Sequence, residues 1–320
     1  MSIVVKNLTK YFGKTKAVDN LSFEVEPGEI IGFLGPNGAG KTTTARMITG
    51  YLAPTSGTIE IHGKDIQKDP YEARKMIGYL PEENPLYPDM DVVDYLDFIA
   101  RLQGVNPKNI LRSIKEVVKI FQLQDVKHLD IGQVSKGYRQ RVGLAQAVIH
   151  DPPVLILDEP TNGLDPNQVV EFRNFIRNLA KRKTVILSTH ALAEVQALCS
   201  RVIIIGKGRI LADASIEELE RKFKGREGFL VEVSPNDSVT VEIVQRYLES
   251  VENIEAVASL STSDEHETMK FYIESQGNRD IRRQLFNLCV EKRWTLLDMH
   301  RQRVRIEDIF QQLTMGKTSK

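Results

Sequence analysis

The chain has 320 residues, enough for one large core plus a smaller one or for two comparable domains. Its 43 Lys and Arg are cancelled by 43 Asp and Glu, so no global basic field points to nucleic acid, and 41% apolar residues is ordinary for a globular protein. No apolar run reaches the roughly 18 residues of a spanning helix, the N-terminus lacks a secretory layout, and Cys199 and Cys289 fit no metal spacing, which favours reduced, packed thiols.

In chain order, residues 2–8 read as a strand, 7–13 as a turn and 17–25 as a second strand, with Pro27, Gly28 and Glu29 marking a break. Tyr11, in that first turn, is an aromatic able to stack on a purine; a half-buried ring at a strand end is the alternative. The apolar run 30–34 then feeds Gly35, Pro36, Asn37, Gly38, Ala39, Gly40, Lys41 and Thr42, and a helix-permissive run follows to residue 48. This is G-x-x-x-x-G-K-[ST], a loop for nucleotide phosphates. Its glycines let backbone N–H groups turn inward, and the helix that follows presents its positive end to the same anion. Lys41 is expected to reach the β- and γ-phosphates, and the Thr42 hydroxyl to ligate Mg²⁺.

Residues 57–63 and 76–81 read as further strands, the second ending at Pro81 before Glu82 and Glu83. From Asp91, a plausible N-cap, the period becomes helical at Val92, Val93, Leu96, Ile99 and Leu102, and Gly104 stops it. A second helical pattern runs through Ile110, Ile114, Val117, Val118 and Phe121. This mostly helical stretch, about 86–150, is expected to form a subdomain. Near its end Ser135 sits as an N-cap before another helix, so a hydroxyl, backbone N–H groups and a helix dipole make a second potential anion site.

Residues 154–157 are apolar and end in Asp158 and Glu159, the pattern of a buried parallel strand with functional groups at its carboxyl end. Asp158 suits Mg²⁺ through a water, and Glu159 suits the activation of a water for attack on a γ-phosphate. A tight loop at 163–166 leads to a helix, and residues 184–188 make one more buried strand, after which His190 is placed to sense a γ-phosphate. A hairpin pattern over 201–211 closes an α/β domain.

Taken together, these motifs resemble the ATP-binding subunit of an ABC transporter over residues 1 to about 221. Residues 35–42, with Thr43 following, match the Walker A loop; 154–159 match Walker B with its catalytic Glu; 135–141 match the ABC signature. Residues 162–165 match the D-loop, ending at Asp165, His190 matches the switch histidine, and Tyr11 matches the base-stacking aromatic. The resemblance implies the P-loop NTPase fold, ATP and Mg²⁺ as ligands, and Glu159 and His190 as catalytic groups. It further implies that Ser135 and Gly137 complete the site of a second copy in a head-to-tail homodimer, with no nucleic acid involved. A separate polytopic permease would hold this subunit on the cytoplasmic face of the membrane.

Two departures stand out. Glu82 occupies a position where the family usually has Gln, and its carboxylate adds charge near the Mg²⁺ position. The signature reads Val134, Ser135, Lys136, Gly137, Tyr138 instead of Leu-Ser-Gly-Gly-Gln. Such variants resemble the ABC-2-type export branch, including drug-export and gliding-motility subunits. A soluble regulatory ABC ATPase and a non-hydrolysing nucleotide-binding subunit are the alternative readings.

After a charged linker at 222–228, strand and helix patterns alternate as β-α-β-β-α-β, predicting a small ferredoxin-like α+β domain over 228–315. A closing helix over 306–313 is expected, and no catalytic grouping is visible in this part.

Overall fold

The computed structural model describes residues 1–219, 227–235, 239–263 and 268–303. It divides into two compact units, the first Met1–Ile216 and the second beginning at Glu217.

The first unit contains two sheets. One is antiparallel, in the order β2 (Thr15–Val25), β1 (Ile3–Phe12), β4 (Ser56–Ile61), β5 (Lys64–Asp65). The other has six strands in the order β10 (Arg209–Ser215), β9 (Arg201–Gly206), β3 (Ile30–Leu34), β8 (Thr184–Thr189), β7 (Val154–Asp158), β6 (Ile77–Leu80). Its pairs are parallel except for the β9–β10 hairpin. All five residues of β7 are buried, because a central parallel strand is covered on both faces. The core joins the two sheets: Ile3, Val5 and Phe23 pack with Ile31, Phe33 and Ile186, and Met47 and Ile48 of helix α1 (Lys41–Ile48) close one side. Phe23 and Phe33 stack tilted at 5.3 Å between centroids. Each such fully buried side chain contributes about 1.5–3 kcal/mol.

The first strand is longer than its sequence suggests. Asn7 takes a left-handed φ of 50°, and the ladder shifts register between Val5 and Leu8, so a bulge kinks β1 where a turn is predicted. The reversal comes instead at Gly13, with φ of 58°. Short helix α2 (Pro70–Lys75) precedes β6. The helical stretch comprises α3 (Val92–Leu102), α4 (Ile110–Ile120) and α5 (Lys136–Val148). Asp91 caps α3 by accepting the Asp94 amide, and Val92, Leu96 and Ile99 are buried as their spacing predicts, while Leu102 is exposed. Helices α6 (Pro166–Ala180) and α7 (Leu192–Leu198) complete the unit.

The second unit carries β11 (Glu227–Ser234), α8 (Val241–Glu249), β12 (Ile254–Ser263), β13 (Thr268–Ser275), α9 (Arg282–Lys292) and β14 (Thr295–Arg303). Its sheet order, β12-β13-β11-β14, is that of a split βαβ domain. Phe229, Val231 and Val233 of β11 pack with Phe271 and Ile273 of β13 and with Leu285 and Cys289 of α9. The predicted helix over 306–313 and residues 222–226 of the linker lie outside the described residues.

Candidate functional site

Strands β3, β8 and β7 are neighbours in register, so that Leu34 lies beside Thr189 and Ser188 beside Asp158. Their carboxyl ends therefore deliver residues 35–41, His190 and Asp158–Glu159 to one edge of the sheet, where ligands of open parallel sheets bind. Between β3 and α1 the chain turns through Gly38 (φ 77°) and Gly40 (φ 105°), values that glycine alone adopts without strain. At Gly40 a Cβ would also come within 2.7 Å of the Ala17 carbonyl. This geometry opens the α1 N-terminus towards a cleft of about 540 Å³, lined in part by Asn37, Gly38, Ala39, Gly40, Lys41, Thr42 and Thr43. No acidic residue occupies the first turn of α1, so no carboxylate of the helix itself offsets its positive end.

Lys41 is buried. Its Nζ donates to the Gly35 carbonyl at 2.8 Å and to Pro36 at 3.4 Å, and it lies 3.4 Å from Glu159 Oε1. Glu159 is buried as well, with φ of 46°, its N–H donating to the Ser188 carbonyl. That conformation, uncommon for a residue with a Cβ, turns the carboxylate off the strand axis and into the cleft. Glu159 Oε2 meets His190 Nδ1 at 2.8 Å and accepts the Thr189 hydroxyl at 3.3 Å. The base candidate is thus held between a cation and an imidazole.

Asp158 is fully buried. Ser188 Oγ donates to its Oδ1 at 2.7 Å, whereas Oδ2 has no hydrogen-bond partner among the described residues. Burial pushes its carboxyl above the usual range; the Ser188 and Thr42 hydroxyls oppose that shift, and the Glu159 and Glu82 charges add to it. A buried carboxylate oxygen without a partner, among other acids and the Thr42 hydroxyl, fits the oxygen donor set of a divalent cation. Glu82 lines the cleft, and Asn162 Nδ2 donates to its Oε1 at 3.3 Å.

The structure does not bring every predicted residue here. Tyr11 is absent from the lining, and Phe12 takes its place. Adjacent strand residues point to opposite faces; Tyr11 pairs with Lys16, whose ammonium sits 5.2 Å from the ring centroid, and Phe12 faces the cleft. Ala17 also lines the cleft without having been singled out from sequence, and so does Asn162, the first residue of the D-loop match. A period-2 reading of β1 carried through to Gly13 would have separated Phe12 from Tyr11. Ser135 and Gly137 do not line the cleft either. Ser135 caps α5, its Oγ accepting the Tyr138 amide at 3.4 Å, and Gly137 packs against the Gln168 side chain. Asp165 caps α6 in a capping box with Gln168 and is exposed.

Residues 18–162 match the family model described as ABC transporter. An ABC transporter ATP-binding protein of Methanocaldococcus jannaschii is 44% identical over 221 residues, 69% of this chain and 80% of its own length. The Nod factor export ATP-binding protein I of Cupriavidus metallidurans is 37% identical over 216 residues, 67% of this chain and 71% of its own. A solved structure of the ATP binding subunit of an ABC transporter superposes with a TM-score of 0.65 at 29% identity, covering 70% of this chain and 93% of that one. With a phosphate loop, two strand-end acids and a histidine gathered on one sheet edge, the chain belongs to the ABC transporter ATP-binding family and is an ATPase of the P-loop fold.

Proposed function

We propose that the chain powers export through a separate membrane permease, two copies closing head to tail around two ATP molecules. The observation that carries this reading is that Lys41, Glu159 and His190 converge on one cleft while Ser135 and Gly137 face elsewhere. The cleft supplies one half of a site, and the exposed Ser135 end of the signature segment would supply the other half to a second copy, with Gly137 beneath it against Gln168. A closed two-fold arrangement satisfies both chains at once. Export rests on the relative that bears that word in its name and on the variant signature. The permease is part of this reading through the family, and no described helix is long and apolar enough to cross a membrane. The intact Lys41–Glu159–His190 set gives the regulatory alternatives no support.

In this reading the loop N–H groups and the α1 dipole bind the phosphates, and Phe12 stacks on the base. A γ-phosphate draws the Lys41 ammonium from Glu159, which leaves that carboxylate to take a proton from the attacking water. His190, already in contact with Glu159, keeps it oriented. Thr42, Asp158 and Glu82 would hold Mg²⁺, which would supply positive charge to offset that of the bound phosphates.

Glu159→Gln tests the model. Turnover should fall about 10²- to 10⁴-fold, the usual contribution of a general base, while ATP-Mg shifts the protein to dimer mass by light scattering. A variant that stays monomeric at saturating ATP-Mg, even alongside its permease, would refute the paired site.

A further inference from the structure

The N-terminus of α5 carries Ser135 and Gly137, and it is fastened to the two segments that leave the cleft. Gln140, buried in α5, donates from Nε2 to the Pro160 carbonyl at 2.8 Å. Pro160 directly follows Glu159. Asn84, two residues beyond Glu82, donates from Nδ2 to the Arg139 carbonyl at 3.0 Å. The Lys136 side chain lies over Gly163, where an added methyl would overlap its ammonium, and a methyl on Gly137 would come within 2.7 Å of Gln168. A displacement of the 159–165 turn therefore has a stiff path to the helix end that bears the signature.

Among these ties Gln140 is the one that is buried and directional. Its amide has no water to turn to, so loss of the Pro160 carbonyl leaves an unpaired buried donor. The other end of the tie sits one residue from the carboxylate that Lys41 and His190 hold.

We infer that Gln140 is a positioning residue that couples the occupancy of a chain's own phosphate cleft to the posture of its Ser135–Gly137 end. The inference rests on the proposed paired site for its purpose, though not for its existence. When ATP takes Lys41 from Glu159, the turn through Pro160 shifts, and Gln140 carries that shift to the half-site offered to the second copy. Each chain thereby presents its signature only after filling its own cleft, which makes closure cooperative in ATP. Coupling of this kind needs a defined element with two states that both sites bias, and in this inference the 159–165 turn with the α5 end tied to it takes that role.

The test uses the full chain with Gln140→Met, which fills the volume without a donor, and Gln140→Glu, which keeps the shape and loses the amide N–H. Hydrogen–deuterium exchange is measured with and without Mg²⁺ and a non-hydrolysable ATP analogue, at a concentration where light scattering shows monomer. In the natural chain the analogue should slow exchange over residues 135–139 and 161–165 together. In both variants 161–165 should still slow, while 135–139 stays at the nucleotide-free rate. The steady-state Hill coefficient for ATP should fall towards 1 and kcat about tenfold, as for one lost buried hydrogen bond, with ATP affinity within twofold. Matching protection of both segments in the two variants would overturn the inference. So would absence of any response at 135–139 in the natural chain. A natural chain that couples the segments as a monomer yet never dimerises would instead remove the paired-site reading and leave the tie standing.

Discussion

Phe12 and Tyr11 are adjacent, both aromatic and both partly exposed, yet only Phe12 faces the cleft. Base–aromatic stacking is worth about 1–3 kcal/mol by alanine substitution, so Phe12→Ala should raise the dissociation constant for ATP about 5- to 150-fold. Tyr11→Ala should change it less than twofold, since that ring lies beneath Lys16 on the opposite side of the strand. Neither ring belongs to the core, and both are more than 40% exposed, so thermal stability should move little in either variant. The measurement is titration calorimetry in a Glu159→Gln background, where ATP persists. GTP should lose affinity in parallel, because stacking tolerates any base. A larger loss from Tyr11→Ala than from Phe12→Ala would refute the assignment and restore Tyr11 as the stacking residue.

Glu82→Gln should raise the Mg²⁺ concentration needed for half-maximal ATP binding several-fold, because one carboxylate leaves the proposed cation site, whose other charged member is Asp158. The same change should bring the Asp158 carboxyl down towards its usual range, as removal of a nearby like charge favours ionisation. Equal or lower Mg²⁺ demand in the variant would contradict a cation role for Glu82. Cys199 is buried beneath Gly32, and burial pushes its thiol up to about 12; burial raises Cys289 as well. Raised thiol values mean the thiolate is scarce at any pH well below them, about one part in 10⁴ for Cys199 at pH 8. Iodoacetamide at pH 8 should therefore leave both cysteines unlabelled in the folded chain and label both in urea. Labelling of the folded chain at the rate of a free thiol would show that the packing is wrong.

Much of the site could be read locally. The phosphate loop, the acids after β7 and the Ser135 cap are short-range patterns whose chemistry follows from backbone conformation and strand ends. Helix α3 was similarly legible, since Asp91, the apolar spacing and Gly104 are all local signals. The end of β1 was not. Whether Asn7 ends a strand or only bulges it depends on pairing with β2 and β4, partners more than ten residues away. Once the strand runs on past Asn7 to the Gly13 turn, Tyr11 pairs with Lys16 and Phe12 with Thr15, and alternation puts Phe12 on the cleft side.

The amino-acid order alone pointed to a nucleotide-phosphate loop at residues 35–42. Tertiary structure decided how the parts divide. The parallel register of β3, β8 and β7 brings Lys41, Glu159 and His190 within ion-pair reach, whereas the packing of α5 on the Pro160 turn directs Ser135 and Gly137 away from that cleft. Motif order carries no information about which motifs share a cleft, because contacts between residues 41, 159 and 190 exist only once the sheet has formed.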